Sequence, residues 1–445
     1  MLASGGGSVR GGEPDERARA LPDDALERLE EIGGADVLVG IPSIDSAETI
    51  GQVVTAVEAG LRKHLGDLDA VIAISDGGSA DGTLEAAMEA GVGDQATALL
   101  VPPSSREPRK MAFRYGGPAG KGSALRAIFE AATRLEVRAC AVVDSDLRSI
   151  TPTWLDRLLS PVVHHGFEYV APVYARHKYD GTITNSIAYP VTAALYGARM
   201  RQPIGGEFGL SGELAAAFAA GDVWDTDVAR FGVDIWMTTA ALVREARVCQ
   251  AVLGAKLHDP RDPGQSLGPM FRQVVGTLFT LAGRYRERWW DVEKVEDVPT
   301  FGFPAEYAVE PIEVSLRRLT WKFVDGYVQH RDVWRAALSE EALAGVEDAV
   351  GKASEDSRGL VVEPELWFRI VYDYLIAHQA GELDRGDLLD SLIPLYYART
   401  ATFVETARED TDEEAEERVE AGVDVAVSLK PYLKERWMPL AVPGH

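Results

Sequence analysis

Residues 139–146 read ACAVVDSD. The apolar run ends abruptly in a pair of carboxylates flanking a serine. A run this short, apolar at every position, predicts a strand buried on both faces, with Ala139–Asp146 as its span. The pattern recurs upstream as DVLVGIP at 36–42 and AVIAISD at 70–76, and Ala96–Pro102 reads as a further strand. Between the strands the spacing becomes helical. Ile50, Val53, Val54, Val57 and Leu61 share one face behind Ser46, which is placed to cap it. Asp81 is placed to cap a second helix, and a third runs from Ser123 through Leu125, Ile128 and Phe129 after a polar Pro/Gly-rich loop ending at Gly120. Strand–helix alternation of this kind predicts an α/β fold, a Rossmann-like parallel sheet with helices on both faces. Ligands of such sheets bind beyond the carboxyl ends of the strands. The polar residues at those ends are Ser43, Asp45, Ser75, Asp76, Asp144 and Asp146.

Downstream the pattern loosens. Tyr169–Arg176 and Arg247–Leu257 read as strands, with helices near 186–197, 211–220 and 234–245. Beyond residue 300 the spacing is mainly helical, around 311–338, 363–379 and 385–408, and the acidic stretch 408–420 reads as a solvated helical face. The stripes Leu316, Leu319, Phe323 and Leu366, Ile370, Leu375 are expected to pack on the rest of the chain or to form a homodimer. The sequence divides into a loose tail and short helix (1–35), a first sheet half (36–150), a second half (151–295) and a helical C-terminal region (296–445).

Composition narrows the class of partner. With 445 residues the chain exceeds one ordinary domain of ~100–200 residues. Its 45 basic and 70 acidic residues give a net charge of −25, which disfavours nucleic acid and anionic lipid. No run approaches the ~20 apolar residues of a membrane span, and residues 1–30 contain no apolar signal core. Cys140 and Cys249 each sit in an apolar run and form no disulfide framework. The expectation is a cytoplasmic protein without a membrane span.

The residues that could carry chemistry cluster at the element ends. Asp144 and Asp146 form a D-x-D pair that could face a divalent metal, though turn chemistry is the blander use of such aspartates. His258, in GAKLHDP at 254–260, follows a strand and could complete that metal site. Gly120-Lys121-Gly122-Ser123 offers a point charge at a helix start without the spacing of a nucleotide-triphosphatase loop. The segment RHKYDGTITN at 176–185 is dense in polar groups, with Arg176 able to pair a carboxylate and Asp180 and Thr184 able to bind hydroxyls. QPIGGE at 202–207 permits close backbone approach at Gly205 and Gly206. FGVDIW at 231–236 places Asp234 in an apolar setting, where a helix cap is the bland explanation. Serine-hydrolase, zinc and dinucleotide motifs are missing at any credible position.

Taken in order, IPSIDSAETI, SDGGSADGT, GKGSALR, VVDSDL, RHKYDGTIT, QPIGGEF, FGVDIW and GAKLHDP resemble the retaining GT-A glycosyltransferases of compatible-solute synthesis, namely mannosylglycerate, glucosylglycerate and glucosyl-3-phosphoglycerate synthases. The resemblance spans roughly residues 36–290. It implies a nucleotide-sugar-binding half at 36–150 and an acceptor-binding half at 151–295. Pro42, Asp45, Asp76, Lys121, Asp144 and Ser145 would meet the donor. Asp144, Asp146 and His258 would hold Mg²⁺ or Mn²⁺ on the diphosphate. Arg176, Asp180, Thr184, Gly205 and Gly206 would receive the acceptor. Asp234 would lie beneath the reacting sugar, with Asp144 as its catalytic companion.

The implied activity is metal-dependent, configuration-retaining transfer of glucose or mannose from a nucleotide sugar, such as GDP-glucose or GDP-mannose, to D-glycerate. The alternatives are 3-phosphoglycerate as acceptor, or a non-catalytic nucleotide-sugar-binding protein. In the 3-phosphoglycerate enzymes an arginine follows the glycine of the acceptor segment; here Gly181-Thr-Ile-Thr184 puts Thr182 in that place, which favours an unphosphorylated acceptor.

Overall fold

The computed structural model describes residues 19–91, 101–102, 104–257, 268–303, 311–356 and 359–441. Its centre is an eight-stranded mixed sheet. The strands are β1 (Val37–Ser43), β2 (Ala70–Asp76), β3 (Arg109–Arg114), β4 (Ala139–Val142), β5 (Tyr169–Ala175), β6 (Phe208–Ser211), β7 (Val248–Ala255) and β8 (Thr300–Phe301). Their spatial order is β8-β7-β5-β6-β4-β1-β2-β3. β6 runs antiparallel to β4 and β5, and every other pairing is parallel.

Period-2 alternation sends the apolar side chains of the central strands to opposite faces. Val37, Val39, Ile41, Ile72, Ile74, Ala139 and Ala141 join one buried cluster. Leu38, Val71, Ala73, Cys140 and Val142 join the other. Helices Ile50–His64 and Pro152–His165 cover the first face, and Lys121–Arg134 and Gly212–Ala219 the second. The two-sided burial explains why these strands read as continuous apolar runs.

Several expectations need correction, and one strand was missed. The third strand is RKMAFR at 109–114, inside the stretch expected to be a loop; residues 96–100 of the expected strand lie outside the described residues. β3 pairs only with β2 at the sheet edge, so only Met111 and Phe113 turn fully inward and the apolar run is lost. β4 stops at Val142, and Asp144-Ser145-Asp146 leaves the ladder in a turn. The Ser46 hydroxyl caps no helix; it bonds the Ile44 carbonyl and lies 2.9 Å from Ser145 Oγ. β6 was not legible at all, since four residues, two of them Phe208 and Leu210, show too little alternation. Asp81 does not occupy the cap position either, which is Gly82; its carboxylate accepts from the Thr83 amide at 3.1 Å in a local turn.

The C-terminal region is helical, with Leu316–Ala337, Glu340–Glu355, Pro364–Ala380, Arg385–Thr406, Asp412–Ser428 and Lys430–Trp437. Both stripes are used within the chain. Leu319, Phe323, Ile370 and Leu375 share one core with Ile183, Val191, Ile235 and Val274 of the sheet-bearing part. The acidic stretch becomes helix Asp412–Ser428, opened by a capping box between Thr411 and Glu414. No helix among the described residues is long and apolar enough to cross a membrane.

Candidate active site

The carboxyl ends of β1, β4 and β7 and the segment after β5 open onto a cavity of about 720 Å³. Pro42, Asp45, Lys121, Asp144, Ser145, Asp146, Arg176, Asp180, Thr184, Gly205, Gly206 and Asp234 all line it. These are residues separated by up to about 190 positions, gathered because parallel strands end on the same side of a sheet. Asp76 does not line it. Its fully buried carboxylate instead accepts from Ser43 Oγ at 3.1 Å, the Gly78 and Ser79 amides at 2.8 Å each, and Ser79 Oγ at 2.5 Å, so it shapes the 77–79 turn. His258 lies outside the described residues.

A chain of alternating charges runs along the cavity floor. Lys121 begins its helix at the cavity edge, and its ammonium lies 2.8 Å from Asp144 Oδ1 and 3.4 Å from Asp234 Oδ2. Lys256, just past β7, lies 3.3 Å from Asp144 Oδ2, 2.8 Å from Glu207 Oε2 and 2.9 Å from the Gly205 carbonyl. The Tyr174 hydroxyl donates to Glu207. Burial alone would weaken the Lys121 ammonium, but Asp144 and Asp234 outweigh it and hold the group protonated well above the ordinary lysine range. Burial likewise opposes the Asp144 carboxylate; Lys121 and Lys256 overcome that and drive it well below the usual range. Burial pushes Asp234 upward, with Lys121 offsetting part of the rise. It pushes Glu207 up to about 7, against the pull of Lys256 and with the help of Asp144.

Two further features mark the cavity as built for a ligand. Asp234 Oδ1 is buried without a hydrogen-bond partner among the described residues, at the cavity wall. Such an orphaned acceptor is costly unless a hydroxyl or amide from outside meets it. Asp45 has a φ of 43°, a left-handed conformation that aspartate tolerates better than most residues, with its amide donated to Ser79 Oγ.

Lys256, Glu207 and Tyr174 escaped the reading of the sequence. Lys256 and Glu207 stood inside quoted motifs, but beside a histidine and a pair of glycines that drew the functional reading. A carboxylate immediately before the apolar Phe208–Leu210 run was the available signal.

The chain is similar to solved structures of glucosyl-3-phosphoglycerate synthase. One, from Mycobacterium tuberculosis in complex with Mn²⁺, uridine diphosphate and glucosyl-3-phosphoglycerate, is 25% identical, with 58% of this chain and 84% of that chain covered at a TM-score of 0.42. Another from that organism, with Mg²⁺ and uridine diphosphate, is 25% identical, with coverages of 59% and 85% at a TM-score of 0.41. A crystal structure described as a mycobacterial protein is 26% identical, with coverages of 59% and 80% at a TM-score of 0.41. No family model and no curated protein matches the chain.

For a divalent cation the donor set can be tested directly. Each Asp144 oxygen already faces an ammonium, so this carboxylate stands between lysines. Asp146 lines the same cavity, as does Ser145, whose hydroxyl lies 2.9 Å from Ser46 Oγ. Among the described residues no group of three His, Cys, Asp or Glu side chains could hold an ion alone. This set fits an ion such as Mg²⁺ or Mn²⁺ that takes one or two carboxylates and completes its shell with substrate phosphate and water.

Proposed function

We propose that the chain is a metal-dependent GT-A glycosyltransferase moving a hexose from a nucleoside-diphosphate sugar to the hydroxyl of a glycerate-type acceptor. The observation that carries this reading is the single cavity onto which the D-x-D turn, Lys121, Asp234 and the 176–184 segment all open. The donor would enter along Pro42, Asp45 and Ser145, with its diphosphate toward Lys121 and Asp146. When bound there, a divalent cation would neutralise charge developing on the leaving diphosphate.

The chain's own residues supply the rest. Lys121, kept protonated by Asp144 and Asp234, places a fixed positive charge where the leaving group departs. Lys256 adds a second, held by Glu207. Asp234 Oδ1 is free to accept a sugar hydroxyl and so to fix the hexose against the floor. The acceptor lies on the side of Arg176, Asp180 and Thr184, so that proximity supplies much of the rate. Attack from the face that the leaving group vacates gives retention of configuration.

The acceptor side favours an unphosphorylated acid. Arg176 is the sole cation that the 176–184 segment presents to the cavity, and Asp180 Oδ2 lies 3.5 Å from it. One half-compensated guanidinium matches one carboxylate better than a carboxylate and a phosphate together. The test is a panel of GDP-glucose, GDP-mannose and UDP-glucose against D-glycerate and 3-phosphoglycerate, with Mg²⁺ or Mn²⁺. Transfer to glycerate is expected; turnover of none of these donors would overturn the reading.

A further inference from the structure

The segment that forms the acceptor wall is not held by the sheet from which it emerges. After β5 the chain turns at 177–181 through bonds within the segment itself, such as the Asp180 amide to the His177 carbonyl at 2.8 Å. Apart from Arg201 Nη2, which donates to Asn185 Oδ1 at 2.9 Å, its outward hydrogen bonds go to the C-terminal helices, more than 180 residues away. Lys178 Nζ donates to the carbonyls of Ala407, Arg408 and Asp410 at 2.8, 2.9 and 2.6 Å. Ala407 is the C-cap of helix Arg385–Thr406, and Arg408 and Asp410 lie in the turn that follows, where the helix dipole favours a cation. The Lys178 amide donates to Asp412 Oδ1 at 3.0 Å and the Tyr179 hydroxyl to the Val404 carbonyl at 3.2 Å. Trp367 Nε1 donates to the Ser186 carbonyl at 2.7 Å. Thr182, which lines the cavity, pairs its hydroxyl with the buried hydroxyl of Tyr396.

Apolar packing is part of this junction, with Ile183 buried in one core with Trp367, Phe368 and Tyr396. A second, small cavity of about 30 Å³ lies between the segment and the helices, with Thr182 in the walls of both cavities. Hydrogen bonds to the helices act beside the burial of Ile183 in fixing where the segment stands.

We propose that the C-terminal helices are a working part of the acceptor site. Lys178 clamps the 176–186 segment to the end of helix Arg385–Thr406, and Tyr396 acts through Thr182 as a positioning residue for the wall against which the acceptor lies. This rests on the glycosyltransferase reading, since the acceptor side is assigned there. It gives the helical region a role that neither its composition nor any motif in it suggests.

The experiment compares wild type with Lys178→Met and Tyr396→Phe, neither of which touches the donor side. Acceptor KM at saturating donor is expected to rise about fivefold for Tyr396→Phe, the effect of one neutral hydrogen bond, and about tenfold or more for Lys178→Met. Donor KM, and donor hydrolysis without acceptor, should stay within about twofold of wild type, which a general loss of structure would not allow. Unchanged acceptor KM, or donor and acceptor KM rising together, overturns the proposal. Hydrogen–deuterium exchange provides a second readout that needs no turnover. In Lys178→Met, peptides covering 177–186 should exchange faster while those covering β1 do not. Unaltered exchange there defeats the clamp whether or not transfer is detected. A wild-type chain without transfer, together with faster exchange, defeats the acceptor role and the underlying reading while leaving the clamp in place.

Discussion

Glu207 Oε2 lies 2.8 Å from the ammonium of Lys256, yet burial leaves this carboxyl pushed up to about 7. The pair is fully sequestered on the acid's side and nearly so on the lysine's, where 6% of the side chain is exposed. The raised value has a consequence of definite sign. Between the ordinary glutamate range and about pH 7 the folded chain holds a proton that the unfolded chain has released. The stability from that proton is present at low pH and lost as pH rises through the window, at up to about 1.4 kcal/mol per unit. Glu207→Gln removes the titration. Urea unfolding from pH 5 to 8 should show wild type losing stability relative to the variant as pH rises. Parallel curves would mean that Glu207 is ionised throughout.

Lys121 balances two carboxylates, so its loss should cost more than one ion pair. Lys121→Met leaves Asp234 without its cation and Asp144 with Lys256 alone. Breaking a buried pair from one side typically costs about 3–5 kcal/mol. A loss near the lower end is expected, since 16% of the lysine side chain is exposed. Transfer should fall by roughly 100-fold or more, the scale of losing one preorganised charge at a leaving group. Adding Asp234→Asn should restore part of the stability, read by urea midpoint, and none of the transfer. Recovery of both would show that Lys121 acts only in folding.

The sequence carried the sheet where strands were long and buried on both faces, and lost it at the half-buried edge and at a buried strand of only four residues. β1, β2 and β4 announced themselves because each strand faces helices on both sides. β3 at the edge and the four-residue β6 carried no such run, and only tertiary pairing makes them strands. Of the site, Lys121, Asp144, Asp146 and Asp234 stood out because charge interrupts apolar or glycine-rich sequence. Lys256 and Glu207 meet only in three dimensions, 49 positions apart, and nothing local marks one as the other's partner. The same holds for Lys178 and the carbonyls of 407–410: a helix end is legible, but not the cation that closes it from 229 to 232 positions away.

Gly206 is fixed by both backbone and neighbours. Its φ is 98°, and a Cβ there would stand 2.5 Å from Asp144 Oδ2 and 2.8 Å from Lys256 Nζ. Gly206→Ala therefore strains the backbone and wedges apart the Asp144–Lys256 pair. A stability loss of about 1–3 kcal/mol is expected from the conformation alone. Transfer should drop further than that loss explains, because the displaced groups form the cavity floor. The check is kcat beside the thermal midpoint. A variant of full activity and lowered midpoint would show that the pair need not be kept in register.

Asp146 supplies the last test because it separates the cation from the lysines. Asp146→Asn keeps the side chain's shape and removes its charge, while the Asp144–Lys121 and Asp144–Lys256 pairs remain as they are. A hard divalent ion bound through few carboxylates depends strongly on each one. Mn²⁺ titration followed by electron paramagnetic resonance, in the presence of nucleoside diphosphate, should show affinity reduced about tenfold or more. Circular dichroism should be unchanged, and transfer should fall with the metal affinity. The opposite substitution, Asp144→Asn, should instead cost stability first, since two ammonium groups then lose their shared counter-ion. Mn²⁺ affinity untouched by Asp146→Asn but abolished by Asp144→Asn would reverse the two roles and place the cation between the lysines.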